Sequence, residues 1–159
     1  MLSAAAQQKI DREIAKYPAG QKQSAVMAAL VIAQDELGWI SSETMDDVAR
    51  YLEMPPVAVY EVATFYHMYN LAPAGRHKLT ICTCLPCGLQ GALDAADHLR
   101  DRLGIDFNET TADGKFTLKE GECMGACAMA PVLLVNDKNM HDTMSRDKLD
   151  ALLTELAGK

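Results

Sequence analysis

Ile81-Cys82-Thr83-Cys84-Leu85-Pro86-Cys87 and, further along, Gly121-Glu122-Cys123-Met124-Gly125-Ala126-Cys127 hold every cysteine of a 159-residue chain. Their reading decides what the second half of the molecule builds. Taken as Cys82-x4-Cys87 and Cys123-x3-Cys127, with 35 residues between the inner cysteines, they supply two pairs of thiolates. A [2Fe–2S] cluster needs that arrangement, because each tetrahedral iron takes two protein ligands beside its two sulfides. Two other chemistries use the same residues. A structural zinc ion also takes four thiolates, but its usual C-x2-C knuckle would draw on Cys84 and Cys87 and suits Cys123/Cys127 less well. Cys84-Leu85-Pro86-Cys87 is itself a C-x-x-C ahead of a helix, the pattern of a thiol–disulfide oxidoreductase, and that reading leaves Cys123 and Cys127 idle. Spacing alone leaves all three open.

Around the cysteines the pattern alternates between strand and helix. His77 to Cys82 reads as a strand that Cys82 closes, and Gly88 to Leu103 as a helix ended by Gly104. Lys115 to Leu118 is a short strand after the turn residues Asp113-Gly114. Val132 to Val135 is an apolar, buried strand, and Asn136 to Asn139 turns the chain into a short strand near Met140. Ser145 caps a last helix to about Leu156. This β-α-β-β-β-α order predicts a small α/β layer. The cysteines then lie in loops next to strand ends, where Gly121, Gly125, Ala126 and Ala128 let backbone approach a cluster and donate hydrogen bonds to its sulfurs. The apolar Met129-Ala130-Pro131 is expected to shield the site.

The first half has a different period. Ala4 to Lys16 is amphipathic, with Ile10 and Ile14 four apart. Ser24 to Leu37 is nearly all apolar at its centre and reads as a buried helix, stopped by Gly38 in a position where left-handed backbone costs glycine little. Ser41 or Ser42 caps a third helix to about Leu52. Pro55-Pro56 opens a fourth, which carries Val59, Val62, Phe65 and Tyr66. Leu71-Ala72-Pro73-Ala74-Gly75 is the linker. The fold class expected is α+β: a helical bundle over residues 1–72 and an α/β domain over residues 73–159.

Composition excludes several functions. The net charge is −7, with −4 carried by residues 1–72 and −3 by residues 73–159, so no basic face is offered to nucleic acid. The longest apolar run, Ala25 to Ala33, is too short to span a bilayer. Met1 to Lys9 has no basic stretch leading into an apolar one, so a cytoplasmic protein without a leader is expected. Cysteines in that compartment favour metal or redox chemistry over structural disulfides. Neither a phosphate loop nor a G-x-G-x-x-G is present, so NADH or flavin is not expected to bind this chain. His67, His77, His98 and His141 are too scattered for a Rieske-type site. Tyr60, Phe65, Tyr66 and Tyr69 are expected to pack in the core, with any solvent-facing part marking an interface.

The two cysteine stretches, the second extended through Ala128-Met129-Ala130-Pro131, resemble the cluster motifs of the small [2Fe–2S] subunit family of bacterial respiratory complex I and its diaphorase relatives. The resemblance spans nearly the whole chain. It takes in Tyr60-Glu61-Val62-Ala63-Thr64-Phe65-Tyr66, Leu103-Gly104-Ile105 and Phe116-Thr117-Leu118. It implies a helical bundle followed by a thioredoxin-like ferredoxin domain. It also implies one [2Fe–2S] cluster held by Cys82 and Cys87 on one iron and by Cys123 and Cys127 on the other. Cys84 is left as a spare thiol. The implied partner is the flavoprotein subunit that binds NADH and FMN, and through it the peripheral arm of an NADH:quinone oxidoreductase on the cytoplasmic side of the membrane. No turnover is expected of this chain alone. The equivalent subunit of a soluble NAD-linked formate dehydrogenase or hydrogenase fits the same motifs.

Overall fold

Side-chain caps and apolar spacing set the helices of the first unit. The structure is a computed structural model that describes residues 2–158, and the chain divides into one unit ending at Pro73 and another beginning at Ala74. In α1 (Ala4–Ile14), Ser3 accepts the N–H of Ala6 at 3.1 Å, and Ala6 and Ile10 face inward. A short 3-10 turn, Lys22–Ala25, leads into α2 (Val26–Leu37), which Gly38 ends at φ +82°. Ser41 caps α3 (Ser42–Leu52) by accepting the N–H of Thr44 at 3.1 Å. The buried residues of α3 (Met45, Val48, Ala49 and Leu52) fall on one helical stripe. Pro56 starts α4 (Pro56–Phe65), where its missing N–H is no loss. These helices close over a core that includes Ile10, Leu30, Ile40, Val48, Leu52 and Val59. Tyr69 joins it and donates its hydroxyl to the carbonyl of Met27 at 3.1 Å.

The second unit is a mixed sheet in the order β2-β1-β3-β4, with β1 His77–Cys82, β2 Phe116–Gly121, β3 Leu133–Val135 and β4 Asn139–His141. β1 pairs in parallel with β2, from His77 opposite Phe116 to Cys82 opposite Gly121. It pairs antiparallel with β3, which pairs antiparallel with β4. Parallel neighbours need a crossover, supplied by α5 (Leu85–Gly88) and α6 (Ala92–Leu103). The last helix, α7 (Arg146–Ala157), starts where Ser145 accepts the N–H of Lys148. Alternate sheet residues Leu79, Ile81, Leu118, Leu133 and Val135 pack with Leu99 of α6 and with Leu149, Leu152 and Leu153 of α7.

Most boundaries shift from the sequence reading by one or two residues, and two differ further, each for a local reason. The helix expected from Gly88 to Leu103 is split, because Gly91 takes φ +89° and serves as the N-cap of α6. Cys87 therefore sits in a separate helical turn. β2 runs past Leu118 to Gly121 because parallel pairing with β1 continues through Lys119 and Glu120, polar residues that the apolar pattern passed over.

Candidate metal centre

Topology brings the two cysteine stretches together. β1 and β2 are parallel and end side by side, at Cys82 and Gly121. β2 and β3 flank β1 on opposite sides, so the chain from Glu122 to Val132 must arch over the end of β1, where Cys82 lies. The arch is tied to that end by the Cys82 N–H, which donates to the Val132 carbonyl at 3.1 Å. It contains a cis Ala130–Pro131 peptide bond. Both functional loops thus leave the carboxyl ends of adjacent parallel strands, the edge where open α/β sheets carry their sites.

Within this arrangement Cys82 and Cys87 are buried, Cys84 and Cys127 are half-buried and Cys123 is exposed. Cys82, Cys87 and Ala92 form a small cluster with Cys84, Met124, Cys127 and Ala130 packed against it. Gly121 lets the arch come this close. A Cβ there would meet Thr80 Cγ2 at 2.7 Å and Met124 Cε at 2.9 Å.

The thiols share protons and charge. Burial pushes the Cys82 thiol up, but the N–H groups of Cys84 and Met124 and hydrogen bonds with the Cys87 and Cys84 thiols outweigh it and leave it below its ordinary value. Cys87 is pushed up to about 12, first by burial and then by Cys82 and Cys127. Cys84 is pushed up to about 11 by burial, by Cys82 and by the charges of Glu122 and Cys123. The Gly125 N–H points at Cys123 Sγ, 3.4 Å away. Sulfurs this crowded repel one another once ionised, and a cationic iron pair would relieve that repulsion. The N–H groups aimed at Cys82 and Cys123 are the donors that such a cluster takes from its surroundings. Two cysteine pairs, one on each loop, offer the donor set that two tetrahedral irons take. The donor set fits the cluster.

Of the residues singled out in the sequence, Cys82, Cys84, Cys87 and Cys127 lie together. Cys123 stands at the exposed rim, its Sγ accepting the Gly125 N–H. The expected apolar shield is partial: Ala130 packs on the cysteines, whereas Met129 is exposed. The aromatic set is divided, with Tyr69 4% exposed and Phe65 80%. Sequence reasoning missed Gln90, Glu120 and Glu122, whose side chains tie the loops. Gln90 Nε2 donates to the Cys127 carbonyl at 2.8 Å. Thr83 Oγ1 donates to Glu120 at 2.7 Å, and Cys84 Sγ faces Glu122 Oε2 at 3.8 Å. Only their closeness in sequence to the cysteines could have flagged them.

Residues 10–157 match the model of a family described as thioredoxin-like [2Fe–2S] ferredoxin. The chain belongs to this family. The cofactor of these ferredoxins is the [2Fe–2S] cluster that the cysteine stretches pointed to. An NADH-quinone oxidoreductase subunit of Rickettsia typhi is 42% identical over 89% of this chain and 84% of its own. NADH-quinone oxidoreductase subunit 2 of Thermus thermophilus is 40% identical over 94% of this chain and 83% of its own. The ferredoxin fold recurs in the crystal structure of an NAD+-reducing [NiFe]-hydrogenase in the H2-reduced state. The TM-score is 0.72 at 22% identity, over 84% of this chain and 22% of that one. No described helix is long and apolar enough to cross a membrane.

Proposed function

We propose that the chain is the electron-transfer subunit of an NADH:quinone oxidoreductase. Its one [2Fe–2S] cluster is held by Cys82 and Cys87 on one iron and by Cys123 and Cys127 on the other. The observation that carries the reading is the arch over the end of β1. It collects the thiols of the two stretches at one sheet edge, in a chain 42% identical to a bacterial NADH-quinone oxidoreductase subunit. The cluster takes up and releases one electron at a time, and an all-thiolate ligand set favours a low potential. The protein supplies binding and tuning, through buried Cys82 and Cys87 and through N–H donors on the sulfurs. Cys84 is the spare thiol.

The electron is exchanged with a flavoprotein subunit that binds NADH and FMN, the exposed Phe65 end of α4 belongs to the docking face, and the complex sits on the cytoplasmic side of the membrane. The names of the relatives support a multi-subunit oxidoreductase as host. The full-length chain purified anaerobically should be brown, with about two irons per chain and an S = 1/2 EPR signal on reduction. A colourless chain with stoichiometric zinc refutes the reading. Affinity capture of the chain from its native cells should bring down an FMN protein with NADH-dependent quinone reduction. Capture of a hydrogenase or formate dehydrogenase large subunit would assign the host to the soluble class.

A further inference from the structure

We infer that Gln90, Thr83 and Glu120 are positioning residues for the cluster, bracing the two cysteine loops against each other independently of the ligands. The inference rests on the ligand set proposed above. The ladder between β1 and β2 fixes only the roots of the loops, at Cys82 and Gly121. Beyond those roots each loop holds only a single short helical turn, Leu85–Gly88 in the first and Cys127–Met129 in the second, and ligands need a supporting shell to hold them to a fraction of an ångström. Two braces supply it, one beside each cysteine of the first pair. Thr83, next to Cys82, donates its hydroxyl to Glu120 Oε1 at 2.7 Å, and its N–H reaches the Gly121 carbonyl at 3.4 Å. Gln90, just past Cys87, donates its amide to the carbonyl of Cys127 at 2.8 Å. The Gln90 bond crosses from one loop to the other, and the Thr83 bonds tie the start of the first loop to the end of β2, from which the second loop leaves. Gln90 is itself exposed, so its reach across to a cysteine of the opposite loop is not a by-product of core packing.

The test uses the full-length chain, purified anaerobically, in four forms: parent, Gln90→Leu, Thr83→Val and Thr83→Ser. Unfolding midpoints should stay near the parental value, because the bonds are on the surface. Iron loss to a chelator should speed up about threefold for Gln90→Leu and for Thr83→Val, the worth of one modest hydrogen bond. The g-anisotropy of the reduced EPR signal should change with it, a readout that a general loss of stability does not move. Thr83→Ser keeps the hydroxyl and should behave as the parent. If Gln90→Leu does not yield folded protein, the near-isosteric Gln90→Glu, which lacks the amide donor, carries the same expectation. Parental release rates and EPR spectra in both Gln90→Leu (or Gln90→Glu) and Thr83→Val overturn the inference, as does a Thr83→Ser chain that behaves like Thr83→Val. A parent that binds no iron overturns the ligand set itself, and this inference with it.

Discussion

Gly121→Ala isolates one steric contact on which the arch depends. Gly121 lies at the end of β2 opposite Cys82, and its φ is outside the left-handed region. Alanine therefore meets no backbone strain there, only its neighbours. The new methyl would lie 2.7 Å from Thr80 Cγ2, 2.9 Å from Met124 Cε and 3.2 Å from the Ile81 carbonyl. The Met124 end can swing away, but the Thr80 methyl cannot, because Thr80 is buried in mid-strand on β1. Overpacking of this kind costs about 1–3 kcal/mol, and the lower unfolded-state entropy of alanine returns about 0.4–1 kcal/mol. The net loss is about 1–2 kcal/mol, or roughly 5–10 °C of melting temperature for a unit of this size. The measurement is a double-mutant cycle by urea unfolding, with Gly121→Ala made in the parent and in Thr80→Ser, which lacks the obstructing methyl. The cost should shrink in the serine background by roughly half or more, since contacting residues couple by about 0.5–3 kcal/mol. An equal cost in both backgrounds, or no cost at all, refutes the reasoning.

Three other outcomes are expected. Cys84→Ser should keep its iron and EPR signal, while Cys87→Ser and Cys123→Ser should lose or perturb them; loss in Cys84→Ser alone would show that the first pair is misassigned. Tyr69 gives a pH dependence, because burial, with Tyr66 nearby, pushes its phenol from 10.0 up to about 12. A folded pKa above the unfolded one gives stability that is whole below pH 10 and lost as pH rises towards 12. Urea midpoints should therefore fall more steeply over that window in the parent than in Tyr69→Phe, and parallel profiles would contradict this. Ser41→Ala removes the cap on the Thr44 N–H and should lower stability by about 1 kcal/mol, read from the urea midpoint, with iron content unchanged.

The parts of this fold that were legible in the sequence are those set by short-range physics. Ser41 and Ser145 cap helices where their spacing from apolar runs places them, and Gly38 and Gly104 end helices in left-handed backbone. The cysteines narrowed the chemistry to a metal centre or a thiol–disulfide site, and the family resemblance of the two stretches pointed to the [2Fe–2S] cluster. What stayed hidden depends on chain segments meeting in space. No local pattern told that β2 lies on one side of β1 and β3 on the other, yet that order throws the second cysteine stretch over the first. The same limit hid Gln90, an exposed polar residue by every local measure, whose partner is 37 positions away. Gly91 was passed over because a helical pattern on both sides of it masks a single left-handed residue.

The sheet has two unlike edges. The cysteine loops leave from one. The Asp113-Gly114 turn ahead of β2 and the Asn136-Asp137 turn after β3, where both residues take positive φ, lie at the other. A six-residue strand therefore separates them, a span of roughly 20 Å. That makes β1 a built-in ruler. A nitroxide placed at the exposed Ala112 would sit far enough from the iron to leave it undisturbed and near enough for its relaxation to report each change in the cluster's spin state.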